Sequence, residues 1–154
     1  MDLGYGRAVV GAVVDPITEE LVAQSRDAYR MFRENDPAFF DLVDPDVEWH
    51  VPDTLPGGGD LHGTLEVLEF LDTMSGLWDD AYPEPEEFLP AGDKLVVLGT
   101  WRARAKSTGV RVEVPFAHVQ QFRDGKLVYF RNYLDAAKAL RALEEGPPGW
   151  GRAV

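Results

Sequence analysis

A histidine and an asparagine, each alone among apolar neighbours, are the residues of this chain whose type and spacing point to chemistry. Both lie in the stretch PFAHVQQFRDGKLVYFRNYLDAAKAL, residues 115 to 140. It reads as a strand, an Asp124-Gly125 turn, a second strand and a helix. An Asp-Gly pair between β-branched and aromatic runs marks a two-residue hairpin, because both central residues of a type I′ turn need positive φ. Counting back from the turn, Val112, Val114, Phe116, His118, Gln120 and Phe122 share one face of the first strand. On the second, Val128, Phe130, Asn132 and Leu134 alternate with Tyr129, Arg131, Tyr133 and Asp135. A buried imidazole stays neutral, since burial disfavours its charged form, and a neutral nitrogen can take a proton from a carbon beside a carbonyl. The Asn132 amide can orient such a carbonyl through its donors. The alternative is a core histidine tied to a nearby tyrosine or backbone group, with Asn132 bridging to it across the hairpin.

Other candidates are less exclusive. Asp135 falls on the strand face opposite Asn132 and immediately precedes Ala136-Ala137-Lys138, where an aspartate is the expected N-cap of a helix. Tyr29 belongs to the apolar stripe of the first helix, where core packing explains it. His50 and His62, with Asp53 and Asp60 between them, match no helix-borne ligand pair, and no metal is assigned to them.

The elements that position these residues follow from periodicity. Asp15-Pro16 is an N-cap followed by proline at the first helical position, with Glu19 and Glu20 in the first turn. Ile17, Leu21, Ser25, Ala28, Tyr29 and Phe32 form one stripe of a helix that stops at Asn35-Asp36-Pro37. AFFDLV is a turn or two of helix broken at Asp44-Pro45. Residues 46 to 51 alternate as a strand with Trp49 inward, PDTLPGGGD is a loop, and Gly63-Thr64 opens a second helix with Val67, Leu68, Leu71, Met74 and Trp78 as its buried stripe. Pro83 and Pro85 end that region, residues 86 to 90 form a short edge strand, and residues 93 to 106 a long one that turns at Ser107-Thr108-Gly109 into the hairpin. Helices first, then antiparallel strands, then a closing helix is an α+β pattern. Residues 1–14 read as a flexible or edge-strand arm, 15–145 as one domain and 146–154 as a tail.

Composition excludes several classes. With 154 residues, 45% hydrophobic, the chain suits one domain with room for a core or a pocket. The 27 acidic against 15 basic residues give a net charge of -12, which repels a phosphate backbone, so nucleic acid is not an expected partner. Without cysteine there is neither a disulfide framework nor a thiolate site. The run from Ala8 to Val14 is too short for a membrane span and lacks a cleavage site, so a cytoplasmic protein with no membrane partner is expected.

The order of elements, the His-Gly step into the second helix, the Thr-Gly and Asp-Gly turns and the ending RDGKLVYFRNYLDAAKAL together resemble the nuclear transport factor 2-like (NTF2-like) superfamily, more narrowly its SnoaL-like polyketide cyclase branch, over roughly residues 17 to 145. The resemblance implies a cone-shaped α+β fold, a curved antiparallel sheet wrapped around N-terminal helices with an apolar pocket between them. On that basis the pocket side carries Trp49, Val51, Trp101, Ala103, Val114, Phe116, His118, Phe130, Asn132 and Leu134, a lining suited to a flat, partly oxygenated ligand. It also implies a histidine and an aspartate sharing the work, for which His118 and Asp135 are the nearest pair, and an oxyanion-stabilising tyrosine near Tyr29. The arginine and aspartates of epoxide-opening relatives fall on Gly99, Trp101 and Asn132, and the isomerase base falls on Trp49, so neither chemistry is carried over. Two functions are implied: cofactor-free cyclase or isomerase chemistry on a hydrophobic carbonyl compound, or non-catalytic binding of a hydrophobic small molecule or a dimeric scaffold. Relatives commonly form homodimers through the outer sheet face, which here carries Val96, Leu98, Val119, Tyr129, Arg102, Arg104 and Lys106.

Overall fold

A computed structural model describes residues 16–135. The expected N-terminal arm, the Asp15 cap, the helix expected from Ala136 and the tail lie outside the described residues. Helix α1 (Pro16–Arg33) buries Ser25 and Tyr29 on its inner side. Asn35, at a φ of 56°, turns the chain into a 3-10 helix (Pro37–Leu42), where Asp36 caps by accepting from the Ala38 N–H at 2.9 Å. Strand β1 (Val43–Val51) begins earlier than expected, with Asp44-Pro45 inside it. A register shift between Val43 and Glu48 accommodates the proline, which has no N–H for the ladder. Val47, Trp49 and Val51 are buried.

The expected loop contains a strand, β2 (Gly59–His62), paired antiparallel with β1 so that Trp49 faces Leu61. Four residues headed by glycine carry too little alternation to read as a strand; the partner defines it. Helix α2 (Gly63–Leu77) buries Val67 and Phe70, whereas Leu68 is 41% exposed and Trp78 has already entered the next strand. That strand, β3 (Trp78–Ala91), contains Pro83 and Pro85, which were expected to end a region. It lies at the sheet edge and shifts register beside each proline, where a missing donor costs least.

Strands β4 (Lys94–Ala105), β5 (Arg111–Arg123) and β6 (Lys126–Leu134) follow the sequence reading. Asp124 and Gly125 take φ values of 51° and 77°, as a type I′ turn requires. Beyond the turn a bulge separates the Gln121–Tyr129 pair from the Phe122–Leu127 pair, so Leu127 and not Val128 enters the core. His118 stands opposite Asn132. The sheet order is β2-β1-β6-β5-β4-β3, and one pair departs from the antiparallel expectation: β1 and β6 run parallel. Four strands and α2 stand between the two in sequence order, and this pairing joins the ends of that stretch within one curved, open sheet and sets Trp49 beside Phe130.

Candidate functional site

Curling the sheet against the helices leaves a cavity of about 900 Å³. Trp49, Val51, Trp101, Phe130 and Leu134 line it together with His118 and Asn132. Trp49 and Phe130 lie with ring centroids 4.1 Å apart, and Trp78 meets Trp101 edge-on at 4.9 Å. Ala103, Val114 and Phe116 are buried but do not line the cavity. Phe116 instead lies beneath the imidazole, with centroids 3.8 Å apart and planes 19° from parallel. The rim is polar: Arg33, Asn35, Asp72, Ser75 and Asp80 border the opening. Asp80 holds a φ of 52° at the first bulge of β3, a conformation that disfavours most side chains and re-aims the strand at the mouth.

His118 is 4% exposed. Its Nδ1 lies 2.6 Å from the Tyr29 hydroxyl, Gln120 Nε2 donates to the same hydroxyl at 2.9 Å, and the Ser25 hydroxyl donates to Gln120 Oε1 at 2.7 Å. Four side chains from α1 and β5 thus form one buried chain of hydrogen bonds. Burial lowers the His118 pKa from 6.5 to about 3, with the Asn132 side chain opposing the shift. Burial raises the Tyr29 pKa, with the Gln120 hydrogen bond opposing. Both groups are therefore neutral near pH 7. Two further polar atoms of cavity-lining side chains, Trp49 Nε1 and Asn132 Oδ1, are buried with no hydrogen-bond partner among the described residues. Each such atom costs on the order of 1–3 kcal/mol.

The remaining candidates lie elsewhere. Asp135 is exposed and borders a separate open groove with His50, Asp60 and Arg131. The helix it was expected to cap lies outside the described residues. His50 pairs through Nδ1 with Asp60 at 2.7 Å, while the His62 backbone N–H donates to Glu66 at 2.8 Å. Among the described residues no group of three or more His, Asp or Glu is arranged to hold a metal ion. Sequence reasoning noted Ser25 on the helix stripe with Tyr29, four residues apart, and Gln120 on the strand face with His118, two residues apart. It did not join the two pairs. The signal was the run of polar residues on two faces that both had to be buried.

A sequence model of a family described as a SnoaL-like domain matches residues 25–130. Among solved structures, an NTF2-like protein of unknown function from Burkholderia pseudomallei K96243 is 32% identical, with a TM-score of 0.72 over 80% of this chain and 96% of that one. TerC, co-crystallised with polyporic acid, is 27% identical, with a TM-score of 0.73 over 80% of this chain and 97% of that one. A protein assigned as a SnoaL-like polyketide cyclase from Jannaschia sp. CCS1 is 15% identical with a TM-score of 0.76 over 89% of this chain and 100% of that one, a likeness of fold. No curated protein matches the sequence.

Proposed function

This chain belongs to the SnoaL-like domain family of the NTF2-like superfamily, and from that premise we propose that its cavity binds a flat, hydrophobic carbonyl compound, with His118 meeting the oxygenated part. The observation that carries the reading is a neutral, buried imidazole set in the wall of a cavity otherwise lined by tryptophan, phenylalanine and aliphatic side chains. Aromatic walls favour a planar ligand through stacking and area burial, and the few polar groups orient it. The TerC complex supports the ligand class, because polyporic acid is an aryl-substituted hydroxyquinone. In its catalytic form, the reading is cofactor-free proton transfer at the carbon beside the carbonyl, of the cyclase or isomerase type. Binding without turnover is the second reading, and a specific contact favours it: Nδ1 is engaged by Tyr29, and Asp72 and Asp80 stand exposed at the rim rather than beside the imidazole.

Polyporic acid is the first probe. Saturable quenching of tryptophan fluorescence is expected, weakened at least about tenfold in Trp49→Ala, since stripping an aromatic wall removes about 1.5 kcal/mol or more of contact. Failure of polyporic acid and of a panel of flat aromatic ketones to bind would sink the ligand reading. A product by mass spectrometry that disappears in His118→Ala would separate enzyme from binder.

We also propose a homodimer through the outer sheet face. Arg102 there pairs with Glu84 at 2.7 Å and with Glu113, and Arg104 with Asp79 at 3.2 Å, beside half-buried Val96, Leu98 and Val119. Sedimentation should give twice the monomer mass, reverting to monomer in Leu98→Glu; a monomeric wild type would refute it. No described helix is long and apolar enough to cross a membrane.

A further inference from the structure

We infer that the buried chain of Ser25, Gln120, Tyr29 and His118 holds His118 with its proton on Nε2, so that this position offers the cavity a hydrogen-bond donor instead of a base, with Gln120 as the positioning residue. The inference rests on the reading of the cavity as a ligand site.

The direction of the chain follows from what each group can do. An amide carbonyl only accepts and an amide NH₂ only donates. Gln120 accepts from the Ser25 hydroxyl at Oε1 and donates from Nε2 to the Tyr29 oxygen. The Tyr29 phenol, kept protonated by burial, has accepted that bond and has one proton left, and His118 Nδ1 stands 2.6 Å away. Nδ1 is therefore the acceptor. A neutral imidazole carries a single N–H, which falls on Nε2. Asn132 agrees with this assignment: it faces His118 across the β5–β6 pair, and its Oδ1 is a buried acceptor without a partner. Such an oxygen tolerates an N–H nearby and is repelled by a bare lone pair.

The consequence is a preference for ligand oxygens. A carbonyl, phenolate or enolate oxygen complements Nε2–H, and a neutral imidazole donating to a carbonyl polarises it. Abstraction of a carbon-bound proton by Nε2 first requires the whole chain to reverse: the Gln120 amide turns over, Nδ1–H donates to Tyr29, the Tyr29 proton points to Gln120 Oε1, and Gln120 Nε2 donates to Ser25. Gln120 thus selects between donor and base.

The tautomer is readable in the ligand-free full chain by long-range ¹H–¹⁵N correlation of ¹⁵N-histidine protein. Wild type should show Nε2 protonated and Nδ1 bare; a protonated Nδ1 in wild type overturns the inference. Gln120→Glu, at a pH where its carboxyl is ionised, replaces the amide with a group that accepts from both hydroxyls. The Tyr29 proton then turns to the carboxylate, and Nδ1 must carry a proton to donate to Tyr29, whether the ring is neutral or charged. A folded Gln120→Glu whose carboxyl is ionised, as its ¹³C shift reports, and whose Nδ1 stays bare refutes the role of Gln120. Tyr29→Phe removes the donor to Nδ1 and should move the shifts from the wild-type values toward those of averaged tautomers; unchanged wild-type shifts would overturn the claim that the chain ending at Tyr29 holds the tautomer, even if Gln120→Glu does not fold. Loss of polyporic acid binding bears on the ligand reading alone and leaves the wild-type tautomer as the separate test.

Discussion

Between pH 6.5 and pH 4 the protein is expected to lose on the order of 3 kcal/mol of stability through His118 alone. The unfolded chain titrates this imidazole near 6.5, whereas burial lowers the folded value to about 3. Between those values the unfolded state binds a proton that the native state excludes, so protonation favours unfolding. The contribution is fully present above about pH 6.5 and is lost as pH falls toward 3, at about 1.4 kcal/mol per pH unit. Against a typical total of about 5–15 kcal/mol, that fraction is large. Acidification acts on other groups of the chain as well, so the diagnostic quantity is a difference. Urea denaturation at a series of pH values should show wild type minus His118→Gln falling with that slope as the pH is lowered. Parallel curves from pH 4 to 6.5 would mean that His118 is hydrated and charges in the folded state. The Tyr29 phenol acts at the other end: its folded pKa is raised by burial, so stability is lost as pH rises above about 10, where the unfolded phenol ionises.

Gly99→Ala is expected to destabilise the fold by about 2–4 kcal/mol, a fall in Tm on the order of 10 °C. Gly99 sits in β4 between Pro85 of β3 and Phe116 of β5. A Cβ there would overlap the Glu84 carbonyl oxygen and come within 2.6 Å of Phe116 Cζ. One obstacle is backbone and the other is a ring already stacked against His118, so neither yields as a flexible side-chain end would. The substitution should therefore also weaken polyporic acid binding, by displacing the imidazole through Phe116. A Tm within 2 °C of wild type would show that β3 moves aside at little cost. At position 99 the neighbouring strands leave no room for any side chain.

Much of this arrangement was local enough to read in one dimension. The Asp124-Gly125 turn sets the hairpin, and a two-residue period puts His118 on the apolar face of β5; the turn's own register would set His118 opposite Arg131, and the bulge between Gln121 and Phe122 moves it onto Asn132. The stop of α1 ahead of Asn35-Asp36-Pro37 was legible for the same reason, since it depends on neighbouring dihedral angles. Other features depended on partners distant in sequence. Strand β2 exists through β1, Pro83 and Pro85 are tolerated in β3 because it lies at an edge, and Val128 leaves the core at a bulge that alternation alone does not signal. The cavity wall likewise took Trp49 from β1 and Phe130 from β6 through a parallel pairing between distant strands.

The hydrogen-bond chain shows the division most sharply. Sequence by itself determined that Ser25 and Tyr29 share a helix face and that His118 and Gln120 share a strand face, since those are properties of 3.6- and 2-residue periods. Only the tertiary structure decided that the two faces meet, joining residues 89 and 95 positions apart with one nitrogen of His118 consumed. Periodicity says which side of an element is buried, but the identity of the group across the interface, and so the proton a buried imidazole carries, is set by packing in three dimensions.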